Sequence, residues 1–357
     1  MMKNLKHFYF DIVFTIVALM VAGWWGYSHG GVSAMMSALF ITMILAVMEI
    51  SLSFDNAVVN ASVLKHWDKF WKTIFLTIGM LIAVFGMRLV FPIVIVAVTA
   101  DMGMMDVINM ALYNPKEYSA KLMEHHAEIA AFGGMFLLLV FLNFLFDDKD
   151  IHWFEWLERR LVRFGKVDAM SVFVAMVILA LFLLGVEEAH KGAVLMAGFF
   201  GILVYLGVNV LSSLLEGADD DDPETEMVEG KEVAGAIAKG GIAGFLYLEV
   251  LDASFSFDGV IGAFAITNDV IIIMLGLAVG AMFVRSMTIF LVEKGTLDEF
   301  VYLEHGAHYA IGALAIIMLL ATMHIEVPEI ITGLIGIAFI VWAVINSIAY
   351  NKRQANS

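Results

Sequence analysis

Two short stretches carry most of the chemistry this chain could do. Glu49-Ile50-Ser51-Leu52-Ser53-Phe54-Asp55-Asn56 and Asp252-Ala253-Ser254-Phe255-Ser256-Phe257-Asp258-Gly259 share the form acid-x-Ser-x-Ser-Phe-Asp, and Glu249 stands just ahead of the second. Both lie inside long apolar runs. A carboxylate at the centre of a bilayer helix costs at least about 2.5–3.5 kcal/mol. Glu49, Asp55, Glu249, Asp252 and Asp258 therefore need something positive nearby. A bound cation, protons, or Arg88 and Arg285 in the next apolar runs could each supply it. Carboxylate, amide and hydroxyl oxygens are hard donors that suit Mg, Ca or Mn, whereas Cu and Zn favour imidazole or thiolate. The candidate metal ligands are Glu49, Ser53, Asp55, Asn56, Glu249, Asp252, Ser256 and Asp258, with Arg88 and Arg285 as charge-compensating groups. A purely structural network of acids with the two arginines is the plainer alternative, and the acids outnumber the arginines.

The elements that must position these groups are membrane helices. Of 357 residues, 61% are hydrophobic and 16% charged, and the mean hydropathy is +0.89. That excludes a soluble enzyme, a secreted module and a disordered chain. No cysteine is present, so disulfides, zinc–thiolate sites and a cysteine nucleophile are excluded too. A span needs about 20 mostly apolar residues. About ten stretches qualify or nearly so, at 8–28, 33–64, 73–99, 127–146, 169–186, 192–214, 240–267, 270–292, 306–323 and 328–349. Lysines and arginines concentrate in alternate loops, which puts both termini in the cytoplasm of a multi-pass protein of the cell (inner) membrane. His152, Trp153, Trp156, Arg159, Arg160 and Arg163 suggest an amphipathic anchor at the interface over 151–167.

On a regular helix, Glu49, Ser53, Asn56 and Asn60 share a face, while Ser51 and Asp55 point elsewhere. A helix unwound at the Ser-Phe-Asp segment would resolve this and free backbone carbonyls as further ligands. Gly259 and Gly262 favour such a break in the second stretch, and the first has no glycine there.

The matching features recur in one order: the two acid–serine stretches, then Arg88 and Arg285, then Glu124-His125-x-Ala127 and Glu304-His305-x-Ala307. The stretches cross in opposite senses, so the expected fold is an all-α polytopic membrane bundle with an inverted-topology repeat. Its parts are a first half at 1–214 (repeat core 33–146), an acidic cytoplasmic linker at 215–239, and a second half at 240–357 (repeat core 240–323). From Glu216 to Glu232 there are nine acids and one base, read as a solvated connector. No nucleic-acid role fits such charge.

Glu49 followed by Ser53-x-Asp55-Asn56-Ala57 resembles the first signature of the TerC-type membrane proteins, named for tellurium resistance. Glu249, Asp252, Phe255, Asp258 and Phe264-Ala265-Ile266-Thr267 resemble the second. Arg88 and Arg285 match the arginines downstream of each signature, and Tyr302-Leu303-x-x-Gly306 matches the opening of a later helix. Where many relatives have Asp-Ser-Ile-Pro-Ala, this chain has Asp258-Gly259-Val260-Ile261-Gly262. The resemblance implies efflux of divalent metal, chiefly manganese.

The expected function is thus a divalent-cation transporter, a manganese exporter working by alternating access with proton counter-transport. The alternative is a non-transporting membrane scaffold in a metal or tellurite stress-response complex. No enzyme activity and no permanently bound cofactor are expected. The partners are the lipid bilayer and the transported Mn2+. Intramembrane protease motifs are absent; His125-His126-Ala127-Glu128 does not fit the His-Glu-x-x-His pattern.

Overall fold

The computed structural model describes residues 8–354, apart from 80, 100, 101, 150, 164, 166, 168, 217–240, 295–299 and 326. Nearly all of the acidic linker, and the side chain of Asp258, lie outside what is described. Among the described residues every regular element is a helix: α1 Tyr9–Leu52, α2 Phe54–Leu64, α3 Lys69–Ile74, α4 Phe91–Thr99, α5 Met104–Tyr113, α6 Pro115–Glu124, α7 His126–Phe146 and α8 Glu155–Leu161. Beyond these come α9 Met170–Leu183, α10 Lys191–Glu216, α11 Ile242–Ile266, α12 Val270–Lys294, α13 Leu303–Ala321 and α14 Glu329–Gln354. Two π-helical segments, Phe75–Gly79 and Ile82–Val90, join α3 to α4. Among the described residues, seven helices are long and apolar enough to cross a bilayer. This is a membrane protein. The helix α11 has 25 residues and is set apart from those seven by Glu249, Asp252 and Asp258.

The long helix α1 is folded at Gly30–Gly31, where Gly31 takes φ +68°. Its two limbs run back along each other. A Cβ on Gly26 would lie 2.7 Å from the Ala34 carbonyl oxygen and 2.8 Å from the Ala38 Cβ. In a straight helix residues 26 and 34 would be about 12 Å apart, and 26 and 38 about 18 Å. The limbs correspond to the stretches read at 8–28 and 33–64, but the second stops short. Ser53 (φ −102°, ψ 15°) interrupts it, and the chain resumes as α2. The break thus falls in the stretch without glycine, while α11 runs unbroken through Ser254, Ser256 and Gly259. This reverses the expectation. Asp55 lies in the first turn of α2, where the helix N-terminus favours a carboxylate, and its Oδ1 accepts from the Asn56 amide at 3.0 Å. Glycine in α11 serves contact instead.

Two apolar clusters hold the bundle. In one, α7 is buried all round: Met135, Phe136, Leu137 and Leu139 are inaccessible, enclosed by α9, α10, α11 and α13. In the other, α1, α4, α5, α6, α11 and α12 meet. Between α4 and α7 the chain forms the helix pair α5 and α6. Within 151–167, the segment read as an amphipathic anchor, the helix is α8 alone, and it is tied down by a buried acid. Glu158 accepts from Tyr309 Oη at 2.9 Å and from the Trp153 amide at 3.1 Å, and His305 lies 3.7 Å away. Nearby, Lys149 caps the Phe144 ring and donates to the Phe144 carbonyl. Burial holds its amine below the usual lysine pKa.

The most extensive packing is α1 on α12. Gly276 and Gly280 make it so close: a Cβ at Gly276 would sit 2.5 Å from Leu45 Cβ, and one at Gly280 would collide with the Glu49 side chain. Small residues four apart let helix backbones approach in a membrane, where apolar burial alone does not drive association. Gly280→Val is expected to destabilise the protein by about 1–3 kcal/mol through overpacking, read as a lowered unfolding midpoint in detergent. Gly207→Ala, with nothing within 4 Å of the added Cβ, should not lower it. Equal effects would show that the α1–α12 contact is not tight.

Candidate ion site

Glu49 stands at the meeting point of four elements. The lower end of α1 delivers it, Gly280 of α12 passes against its stem, and Gly259 of α11 lies close to its Oε2. Arg88, from the π-helical segment Ile82–Val90, donates to its Oε1. Ser53 adds a second hydrogen bond to the same oxygen, at 2.8 Å. Glu49 is 1% exposed. Arg88 is buried as well, and its Nη1 donates to the Ala83 carbonyl at 2.6 Å, five residues back in its own segment. The wide π register brings that carbonyl and the guanidinium together; π turns often sit where a helix must place a functional group.

One helical turn further along, α2 meets α11. Asn56 Nδ2 donates to Asp252 Oδ1, which joins the two acid–serine stretches directly. Asn60 also hydrogen-bonds Asp252, and the Asp252 charge acts on Arg88. Glu249, three residues before Asp252, is 5% exposed, and neither of its carboxylate oxygens has a hydrogen-bond partner among the described residues. The Oδ1 atoms of Asn56 and Asn60 are equally unpartnered. Gly79 keeps room for Glu249, since a Cβ there would collide with its Oε1.

These groups line a small cavity of about 20 Å3, with Asn56, Asn60, Arg88, Glu249, Asp252 and Thr288 in its wall. That is room for one water or one ion. A second, larger cavity of about 360 Å3 lies beyond Glu49 and is bounded by Glu49, Ser53, Asp55 and Gly259 at its floor and by Ser119, Met123 and His126 toward the surface.

The eight predicted ligands therefore do not converge on one point. Glu49, Ser53 and Asp55 face the larger cavity; Asn56, Glu249 and Asp252 face the smaller one. Ser256 is buried, borders neither, and its hydroxyl has no partner among the described residues. Asp258 lies outside the described side chains. Among the described residues, no group of three or more His, Asp and Glu side chains is gathered as a ready metal cage. The cause is the turn at Ser53, which separates side chains that a straight helix would have aligned.

The two arginines also differ. Arg88 neutralises Glu49. Arg285 is half-buried, donates from Nε to the Leu76 carbonyl at 2.7 Å, and feels the charge of Asp11. It borders the small cavity but makes no ion pair with Glu249 or Asp252 among the described contacts. Asp11, fully buried beside Ser286 and Arg285, was not among the expected site residues. Its signal was an acid early in the first apolar run. Asn60 and Thr288 were likewise missed as site residues; an amide and a hydroxyl in a span carry little signal by type. Of the histidines near the span ends, His126 lines the larger cavity, and His308 stacks on Phe144 with centroids 3.9 Å apart.

Arg88→Met leaves Glu49 as an uncompensated buried charge, and the expected loss is about 3–5 kcal/mol of stability. Arg285→Met should cost clearly less. Thermal unfolding of the two variants side by side in detergent tests this, and the reverse order would show that Glu49 does not depend on Arg88.

Residues 54–354 match the profile of the family described as protein of unknown function (DUF475), and the chain belongs to that family. It is similar to the uncharacterized membrane protein YceF of Bacillus subtilis (strain 168), at 32% identity over 108 residues. That match covers 30% of this chain and 41% of the relative, so the chain spans less than half of that protein's length. No solved structure matches. The resemblance to TerC-type proteins is thereby corrected: the family match over most of the chain is to DUF475 and not to TerC. The short runs of acid, serine and arginine carried less family information than the remaining residues.

Proposed function

We propose that this DUF475-family chain is a membrane transporter of divalent cations, with the small cavity among Asn56, Asn60, Glu249 and Asp252 as its ion site. The observation that carries this reading is Glu249. Both of its oxygens are buried without a partner among the described residues, one turn from Asp252, beside a cavity of about 20 Å3. Two neighbouring carboxylates in a membrane interior are costly unless a positive charge or protons offset them. Arg88 already serves Glu49. Two carboxylates and two free amide oxygens form a hard donor set suited to Mg, Ca or Mn. Water would complete the coordination.

The broader architecture of this reading is about ten spans, both termini in the cytoplasm, and two inverted halves that rock to expose the site alternately. The direct Asn56–Asp252 bond between the two acid–serine stretches supports that placement. Protons taken up by emptied carboxylates would provide the coupling. Manganese export was implied by the TerC resemblance; without it, the donor chemistry supports the divalent class, and a flux measurement identifies the metal and direction.

Purified protein in proteoliposomes, offered Mn, Mg or Ca with and without a pH gradient, should carry at least one of them. Glu249→Gln and Asp252→Asn should each lower that flux about tenfold or more, equivalent to roughly 1.4 kcal/mol per tenfold. Wild-type flux in both variants, or none in the wild type, would sink the reading in favour of a scaffold.

A further inference from the structure

The two cavities share a wall, and the wall is an ion pair. Glu49 borders the larger cavity and not the smaller; Arg88 borders the smaller and not the larger. The two are bonded to each other. The neighbours Asp55 and Asn56 divide in the same way, Asp55 toward the larger cavity and Asn56 toward the smaller. Adjacent helical residues point about 100° apart, so the first turn of α2 can present one to each side. We infer that the larger cavity is a water-filled vestibule that receives the cation at Asp55, and that the Glu49–Arg88 pair is the barrier between this vestibule and the inner ion site. The inference rests on the proposed transport function and adds its route and its gate.

Several observations carry it. The vestibule, at about 360 Å3, has room for many waters, against about one in the inner cavity. Its outer rim at Ser119, Met123 and His126 is half-buried to exposed, whereas Glu49 and Asp55 at its floor are buried. It therefore runs inward from the surface near α6 and ends on carboxylates. Asp55 is nearly buried, at 7% exposure. Its Oδ1 is held by the Asn56 amide, and Oδ2 remains toward the cavity, close to Gly336 of α14. A glycine there leaves that oxygen uncovered. On Glu49, Oε1 is taken by Arg88 and Ser53, and Oε2 faces Gly259.

Electrostatics makes the barrier responsive to the ion. A divalent cation brought to Glu49 competes with the guanidinium for one carboxylate and repels it. The pair loosens when the ion is present and closes once the ion has left, so Arg88 acts as a tethered stand-in for the cation. No covalent bond is made or broken, and the carboxylate stays compensated throughout.

The chain has no cysteine, so single cysteines can be introduced without removing others. Thr332→Cys and Met123→Cys report on the vestibule and Thr288→Cys on the inner cavity. In proteoliposomes, a membrane-impermeant, cationic methanethiosulfonate should label both vestibule positions from one side only. It should label Thr288→Cys about tenfold more slowly, a difference of roughly 1.4 kcal/mol. Added Mn2+ should slow labelling of Thr332→Cys, and Asp55→Asn should remove that protection. Combining Thr288→Cys with Arg88→Gln should raise its labelling from the vestibule side about tenfold. Glu49→Gln, which unpairs the same contact while keeping the arginine, serves where Arg88→Gln does not fold. Vestibule cysteines unreactive from both sides would mean a lipid-filled pocket and overturn the proposal. So would Thr288→Cys labelling as fast as Thr332→Cys with the ion pair intact, or Mn2+ protection that survives Asp55→Asn. Flux of the wild type is measured separately. Flux with the wrong labelling pattern defeats the vestibule alone, and absent flux with the expected pattern defeats the transport reading.

Discussion

A carboxylate buried among membrane helices is tolerable only with a partner, and the arrangement around Glu49 follows from meeting that condition. Arg88 supplies the charge and Ser53 a hydrogen bond. To bring the guanidinium there, the third stretch departs from α-helical winding, and the π segment lets Arg88 also satisfy the Ala83 carbonyl. To bring the neighbouring backbones near enough, α12 offers glycine at 276 and 280, and α11 offers it at 259. A side chain at any of the three would occupy space that Glu49 or its helix uses.

The same condition is unevenly met elsewhere. Glu249 and Asp252 sit one turn apart with amide neighbours and no salt-bridge partner among the described contacts, although Arg285 borders their cavity. Arg285 instead leans toward the Leu76 carbonyl and Asp11. The two repeated stretches, alike in sequence, are therefore unlike in charge balance. Glu49 is neutralised within the protein, whereas Glu249 has no partner among the described residues. That inequality supports binding more than a static network does, since a network would have paired both.

A second polar centre serves structure. Glu158 is inaccessible, yet it is surrounded by donors from the Trp153 amide and Tyr309 Oη, with His305 close by. Trp153 and Phe154 pack against Tyr309 and Trp342 around it. This fastens the short helix α8 to α13 and α14, which is why a segment that reads as a free interfacial helix has a buried acid at its middle.

Composition and residue order alone determined that the chain lives in a membrane and that its regular structure is helical. These depend on local quantities: apolar length, and the cost of a charge within it. Tertiary structure decided which arginine serves which acid, where the helix breaks, and that the candidate ligands divide between two cavities. The turn at Ser53 has no glycine or proline to announce it. Adjacent helical residues such as Asp55 and Asn56 diverge in any helix, but Ser53 and Asn56, which a straight helix would align, face different cavities across the turn. Family membership came from the chain as a whole, over residues 54–354. Pairing between distant residues is set by how closely backbones can approach, and that is a property of the packed bundle that no single stretch carries.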